Sequence, residues 1–180
     1  MSEIPRIIPG IHRLRLRLIE PDDAAYVHAL RTNPEFNEYM SPVSGTVADQ
    51  YKWIEKYKQR EAAGCEYYYV IERLDDLAPC GLVRGFIDEG EVSWGSWMLG
   101  ENKPAKAALE SAVLIFRFAF EILKKPFLMS EALRGNARSV NFQNRMGFTV
   151  IGEDEQNFYF RYSREEFVSD QQALLKAIQA

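Results

Sequence analysis

The stretch from Trp94 to Phe148 constrains the fold of this chain more than any other part of its sequence. Its hydrophobic pattern predicts, in order, a strand, a long helix, a strand and a short helix, at residues 91–99, 104–124, 126–133 and 136–147. Asn136 is a good helix N-cap because its side-chain oxygen can accept a hydrogen bond from the first turn. Gly147 is a good terminator because glycine takes left-handed torsions at no steric cost. Phe148 then begins another apolar strand, so the region alternates strands with helices.

The flanking sequence adds strands before this region and a helix after it. Alternating Leu and Arg over residues 11–18 predicts a half-buried strand. A helix is predicted from Glu20 to Asn33, followed by a loop at 35–46 and a second helix at 47–63. This loop and helix either form a lid over a substrate or pack as ordinary structure. Strands at 66–73, 80–88 and 91–99 predict an antiparallel meander, and a capping-box pattern begins a last helix over about residues 164–178.

Composition narrows the range of functions. The formal net charge is −4, and no block of five Lys or Arg residues suggests a nucleic-acid surface. No run approaches the roughly 20 apolar residues of a membrane helix, and the first ten residues lack a signal-peptide core. Cys65 and Cys80 are not in a C-x-x-C pair, so we expect reduced thiols in a cytoplasmic protein. With only His12 and His28 available, no metal site is expected. The element order predicts one α+β domain over residues 1–180.

Three features together resemble the GNAT superfamily of acyl-CoA N-acetyltransferases. They are the Asn-x-x-Ser segment from Asn136 that ends in Gly147-Phe148, the Trp-Gly-x-Trp-Met-Leu strand from Trp94, and the order of the elements. The resemblance extends from residue 14 to about residue 162. Within the superfamily, the sequence resembles most the branch that contains ribosomal-protein N-terminal acetyltransferases and acetyltransferases of nucleotide-linked amino sugars. It implies a mixed, mostly antiparallel sheet of about seven strands flanked by helices, with two splayed parallel strands forming a cofactor cleft.

The activity implied by this resemblance is acetyl transfer from acetyl-CoA to a primary amine. The acceptor would be a small molecule, including a nucleotide-linked amino sugar, or a protein N-terminus, and the protein would be a homodimer. Backbone groups of the Trp97 strand would pair with the pantetheine arm, and the start of the long helix would bind the pyrophosphate. The residues implied in cofactor binding are Trp97, Met98, Leu99, Lys103, Ala105, Lys106, Ala107, Asn136, Ser139 and Asn141.

The phosphate loop departs from the family pattern, which is Gln/Arg-x-x-Gly-x-Gly/Ala. The matching run here is 102–107, in which Ala105 replaces a glycine that lets phosphate approach the backbone. Pro104 also removes one N–H donor. Lys103 and Lys106 either supply positive charge instead or are ordinary surface lysines.

The catalytic groups are less clear from the sequence. Glu91 is the first candidate for the base, because the resemblance implies a carboxylate at the start of the strand that carries the cofactor. Partial burial there would raise its pKa toward neutrality. The alternative is a solvated turn residue after Gly90. Ser93 would share its face and hold a water. Gln143 occupies a position where many family members have a Tyr that acts as the general acid. In this chain, either Tyr159 or a water protonates the leaving thiolate, or the thiolate leaves without a proton and is protonated later.

Two readings from other classes remain open. The altered loop and Gln143 favour a non-catalytic acyl-CoA-binding or regulatory module, and a structural relative without a cofactor is the third alternative. Trp94, Trp97 and the tyrosines at 67–69 either wall a pocket or belong to the core. The acceptor itself is not identified, because its pocket would come from the loops at 35–46 and 154–157.

Overall fold

A computed structural model of the chain describes residues 4–180, in which eight strands form one sheet in the order β1-β2-β3-β4-β5-β6-β8-β7. The strands are β1 (Ile7–Ile8), β2 (Leu14–Leu18), β3 (Glu66–Arg73), β4 (Pro79–Asp88), β5 (Glu91–Leu99), β6 (Phe127–Leu133), β7 (Thr149–Glu153) and β8 (Asn157–Ser163). The helices are α1 (Ala24–Thr32), α2 (Val47–Ala62), α3 (Ala107–Arg117), α4 (Ala137–Arg145) and α5 (Arg164–Gln179).

The sheet is antiparallel except for one pair. β5 and β6 run parallel because α3 connects them across the sheet. The predicted mixed, mostly antiparallel sheet is therefore confirmed. The eighth strand is β1, a two-residue segment that pairs with Arg17 and Leu16 of β2 and is too short to leave a periodic signal.

Two helix starts follow the predicted capping chemistry: the side chains of Asn136 and Ser163 each accept the backbone N–H three residues on, at the starts of α4 and α5. Thr46, which was not predicted as a cap, does the same at the start of α2. The predicted start of the long helix at Pro104 is wrong. α3 begins at Ala107, because Lys106 has a left-handed φ of 63° and the helical path cannot pass through it.

Two hydrophobic cores pack on opposite faces of the sheet. On one face, here called the α3 face, the core includes Trp94, Phe116, Phe148 and Tyr162 and takes side chains from α3 and α5. On the other, the α1 face, α1 and α2 cover part of the sheet. Tyr67 and Tyr69 belong to the first core and Tyr68 to the second, so these tyrosines are core residues.

One buried carboxylate ties the start of the chain to α3. Glu110 is 1% exposed and accepts backbone N–H groups of His12, Arg13 and Leu14 at 2.8, 2.9 and 3.0 Å. Three donors satisfy the charge and fix the entry to β2.

Within residues 4–180, no helix is long and apolar enough to span a membrane. That same part of the chain holds no group of three side chains suited to bind a metal ion.

Candidate active site

The candidate site lies where the two parallel strands part. β5 and β6 pair only at Val92 with Leu128 and at Ser93 with Met129. Beyond these pairs the strands separate around a cavity of about 940 Å³. The cavity is large enough to hold a ligand of drug size, a class for which pockets of about 300–1,000 Å³ are typical.

The cavity takes side chains from both faces of the sheet. Ser93 and Trp94 are neighbours on β5, as are Ser130 and Glu131 on β6, and all four line it. Successive residues of a strand point to opposite faces, and Trp94 belongs to the core on the α3 face. The cavity therefore passes between the strands, through the plane of the sheet.

A bulge in β5 exposes backbone along this gap. Leu82 of β4 pairs with Met98 and Arg84 pairs with Gly95, so β5 has two residues opposite Val83. One of them, Ser96, has a φ of 47°, a conformation that marks a bulge. The edge of β5 beyond Ser93 has no strand pairing with β6, and such an edge can pair with an extended ligand.

The predicted strand residues Trp97, Met98 and Leu99 begin within this bulge, of which Trp97 is the second residue. Trp97 lines the cavity, and its Nε1 donates to Ser111 Oγ at 3.1 Å. The side chain of Met98 is buried in the core on the α1 face, and Leu99 packs against the core on the α3 face. For Met98 and Leu99, only the backbone groups can therefore contact a ligand in the gap.

α4 contributes three polar residues on the α3 face. Asn136 Oδ1 accepts from the Ser139 backbone N–H at 3.0 Å, and both residues line the cavity. Gln143 is 3% exposed, and its Nε2 donates to Ser130 Oγ at 2.6 Å. Asn141 is exposed and lies outside the cavity lining, and its contact with a ligand stays a prediction.

Two buried polar atoms in the lining residues have no partner in the described structure. They are the acceptor Oε1 of Gln143 and the donor Nε1 of Trp94. Buried polar atoms are nearly always hydrogen-bonded, but five other buried side-chain atoms of the described residues, such as the Tyr68 hydroxyl, also lack a partner, so these two atoms do not by themselves indicate a ligand. If the amide of Gln143 is turned over, its nitrogen takes the unpartnered position instead.

The predicted phosphate-loop residues lie at the start of α3 and not in the cavity wall. Lys103 Nζ donates to the Gly100 carbonyl at 3.2 Å, and Lys106 Nζ donates to the Ala177 carbonyl at 2.8 Å. α3 has no side-chain cap, and its first intrahelical bond runs from Glu110 N to Lys106 O. Ala105 is exposed and Ala107 is buried at this turn.

Glu91 does not have the environment predicted for it. Its side chain is exposed, it pairs with Asp88 beside the hairpin turn, and it does not line the cavity. The predicted partial burial is wrong, because the strands are closed at this end of β5 and open at the other. Its neighbour Ser93, in contrast, lines the cavity at the last paired position.

Tyr159 lines the cavity from β8, but its phenol is already engaged. Its hydroxyl donates to Asp154 Oδ2 at 2.6 Å, and this bond raises the pKa of Tyr159. The same bond, with backbone N–H groups of Gln156 and Asn157, holds the pKa of Asp154 at about 2. A phenol with a raised pKa is a poor proton donor to a leaving thiolate.

The structure adds residues that the sequence did not single out. Glu131 lines the cavity from β6, and Phe86 lines it from β4. The only sequence signal for Glu131 is its polar position in the alternating pattern of β6.

The α1–α2 loop covers one side of the cavity. Its residues 38–41 form part of the lining. Arg31 Nη2 of α1 donates to the Ser41 carbonyl at 3.0 Å, and a His28 ring nitrogen lies 3.0 Å from the Gly45 carbonyl oxygen. The ring of Tyr39 lies beside Gly135, so close that a Cβ on Gly135 would be 3.8 Å from it. The helix α2 packs in the core on the α1 face, which is ordinary packing, and the lid stays a prediction for the loop alone.

Comparisons with known proteins agree on one family. Residues 13–149 match the model of a GNAT acetyltransferase domain. FdhC, a nucleotide-linked sugar GNAT, is 35% identical, with a TM-score of 0.83 over 93% of this chain and 98% of that one. No curated protein sequence matches the chain.

Two other solved structures share the fold at lower identity. The spermidine/spermine N-acetyltransferase SpeG from Vibrio cholerae is 16% identical, with a TM-score of 0.71 over 88% of this chain and 98% of that one. Ribosomal-protein-S5-alanine acetyltransferase from Vibrio fischeri is 14% identical, with a TM-score of 0.73 over 85% and 94%.

Proposed function

Because this chain belongs to the GNAT acetyltransferase family, we propose that it is an acetyl-CoA-dependent N-acetyltransferase that acts on a primary amine. The observation that carries the proposal is the cavity between β5 and β6, which has unpartnered buried polar atoms on one face and carboxylates on the other. The proposed enzyme is one acyltransferase domain over residues 1–180, a homodimer, and cytoplasmic.

The residues on the α3 face fit an acyl-pantetheine arm. Such an arm carries secondary amides, each with one N–H donor and one carbonyl acceptor. Trp94 Nε1 and Gln143 Oε1 are a buried donor and a buried acceptor that lack partners of their own. When bound, acetyl-CoA supplies a thioester whose carbonyl carbon an amine can attack.

We assign the binding of this group to two parts of the chain. The free edge of β5 from Trp97 to Leu99, together with Asn136 and Ser139, would hold the arm. The uncapped start of α3 would hold the pyrophosphate, since free N–H groups and the helix dipole favour anions there. Because Lys103 and Lys106 donate to backbone carbonyls, the backbone N–H groups of α3 are the principal anion contact.

For the acceptor, the identity to FdhC supports a nucleotide-linked amino sugar. A protein N-terminus is the other acceptor within the same activity. A non-catalytic acyl-CoA-binding module is the second candidate function, and Ala105 and Gln143 favour it, since neither matches the family pattern.

The test combines binding with turnover. Calorimetric titration with acetyl-CoA should show micromolar affinity. A thiol-release assay should then show turnover with one member of a panel of UDP-glucosamine, spermidine and an alanyl tripeptide. Binding without turnover across a wider amine panel would favour the non-catalytic module. Absence of binding at millimolar acetyl-CoA would contradict both functions.

A further inference from the structure

Arg31, near the end of α1, is a buried cation without a balancing charge. Of the Lys and Arg residues in the described part of the chain, it alone is buried, with 9% of its surface exposed. No carboxylate among residues 4–180 forms an ion pair with it. A buried charge that lacks an opposite charge lowers the stability of a fold. Stability therefore does not account for this guanidinium, and its contacts have to.

The side-chain hydrogen bond of Arg31 goes to a segment that lines the cavity. Its Nη2 donates to the Ser41 carbonyl at 3.0 Å, and the structure gives the guanidinium no other hydrogen-bond partner within residues 4–180. Ser41 and the three residues before it line the cavity, and residues 38–41 are here called the loop wall. The Nε of the same guanidinium is buried and unpartnered. A side chain with five N–H donors is thus used on one carbonyl of the loop wall.

Further contacts attach both ends of the loop wall to the rest of the α1 face. Before the wall, Asn37 Nδ2 donates to the Arg31 carbonyl at 3.2 Å. After it, a ring nitrogen of His28 lies 3.0 Å from the Gly45 carbonyl oxygen. His28 and Arg31 are three residues apart and share a face of α1. Within the wall, Met40 packs against the core on the α1 face. The wall is therefore anchored on α1, and Arg31 is the charged group that holds it.

The groups around Arg31 do not balance its charge. Burial raises the pKa of the Tyr68 hydroxyl on β3, and the positive charges of Arg31 and Arg84 act against this rise, so both guanidinium groups lie near the phenol. With its pKa raised, the phenol stays neutral. Arg84 has its own opposite charge, because its Nη2 lies 2.8 Å from Glu66 Oε2. Arg31 thus lies beside a neutral phenol and a cation that is already paired.

We infer that Arg31 is a positioning residue for the acceptor, which it serves by holding the loop wall in place. The inference rests on the proposed acetyl transfer, in which the α3 face would hold the acyl-pantetheine arm and the α1 face would be left to the acceptor. The loop wall belongs to the α1 side of the cavity, since Met40 packs against the core of that face. Loss of the Arg31 bond should therefore weaken acceptor binding and spare both acetyl-CoA binding and the chemical step.

The experiment compares Arg31→Met with Arg31→Lys and with the control Arg164→Met, an exposed residue of α5 outside the cavity lining. Methionine keeps an unbranched apolar stem without the charge, and lysine keeps the charge without the planar fork. The acceptor is the best substrate among UDP-glucosamine, spermidine and the alanyl tripeptide. Arg31→Met should raise the acceptor KM about tenfold, the size expected for the loss of a hydrogen bond from a charged group. kcat and the acetyl-CoA affinity from calorimetry should stay close to the wild-type values, and Arg31→Lys should recover part of the KM.

Two measurements that need no turnover complete the test. The urea midpoint of Arg31→Met should equal or exceed that of the wild type, because a buried charge without an opposite charge is removed. Hydrogen exchange should become faster at residues 38–45 of this variant and stay unchanged elsewhere. A lower urea midpoint, an unchanged acceptor KM, or losses of kcat and acetyl-CoA affinity as large as the change in KM would overturn the inference. If the wild type acetylates nothing, the proposed function fails. Faster exchange at residues 38–45 of Arg31→Met would then still support Arg31 as the residue that positions the loop wall, and unchanged exchange would overturn it.

Discussion

The two faces of the sheet differ most where they meet at the cavity. On the α3 face, Phe116 is fully buried and packs against the rings of Trp94, Phe148 and Tyr162, with centroids 5.2 to 5.9 Å apart. On the α1 face, in contrast, the side chain of Glu131 on β6 is exposed. α1 and α2 pack over β3, β4 and the end of β5, and the α1 face of β6 and β8 is outside their core.

Adjacent residues of one strand therefore have different tasks. Ser130 and Glu131 are neighbours, yet one belongs to a buried contact with Gln143 and the other faces open space. Close packing on the α3 face buries most of the aromatic side chains near the gap. The α1 face is then free to carry polar groups at low cost in stability. The comparison predicts that substitutions on the two faces will affect different measurements.

The largest expected effect is on the packed face. Phe116→Ala should reduce the free energy of unfolding by about 3–5 kcal/mol, because it removes a fully buried ring that neighbouring rings cannot replace. Urea denaturation measures this loss. On the open face, Met129→Ala is the matched control and should cost far less. Equal losses would mean that the two faces are packed alike.

A second substitution compares one residue type on both faces. Glu110→Gln should destabilise the fold by about 2–3 kcal/mol, because three backbone donors lose a charged acceptor in a buried place. Glu131→Gln, the same change at the cavity, should leave the urea midpoint unchanged. A midpoint shift of similar size in both variants would contradict the division of tasks.

Asn136 should show a moderate effect on both binding and stability. Asn136→Ala removes the cap of α4 and a polar group of the cavity wall, and we expect acetyl-CoA binding to weaken by about 1–2 kcal/mol. Calorimetry gives this value. Asn136→Asp keeps a capping oxygen and serves as the matched control. Unchanged affinity in the alanine variant would remove Asn136 from the binding site.

The smallest effect concerns the two thiols. Burial raises the pKa of Cys80 to about 12, so this thiol stays protonated at neutral pH and lacks the reactive thiolate form. Cys65 is exposed. A thiol reagent should label Cys65 alone in the folded protein and both residues in urea, as mass spectrometry would show. Rapid labelling of Cys80 without urea would mean that the core at β4 opens readily.

Much of the fold could be predicted because local patterns specify it. β3 and β5 occupy the predicted residues, and the caps of α4 and α5 follow from short side chains at the expected spacing. The start of α3 could not be predicted in this way. Pro104 suits a first helical turn, but the backbone of Lys106 is left-handed, a conformation that local sequence preference does not indicate for lysine.

The site was harder to predict than the fold. Periodicity identifies which residues share a face, but it does not tell at which end two parallel strands separate. For that reason Glu91 was predicted to lie in the site although it is at the closed end, and Glu131, at the open end, was not singled out. The contact between Gln143 and Ser130 likewise joins a helix to a strand through tertiary packing.

A passage through the plane of a sheet has a consequence for the order of events in turnover. Two reactants that enter from opposite faces do not compete for one entrance, so both can be present before either reacts. Initial-velocity lines for such a system intersect, in contrast to the parallel lines of an enzyme that first takes the acyl group onto itself. For the proposed acetyl transfer, the opening between β5 and β6 beyond Ser93 and Met129 therefore predicts intersecting lines.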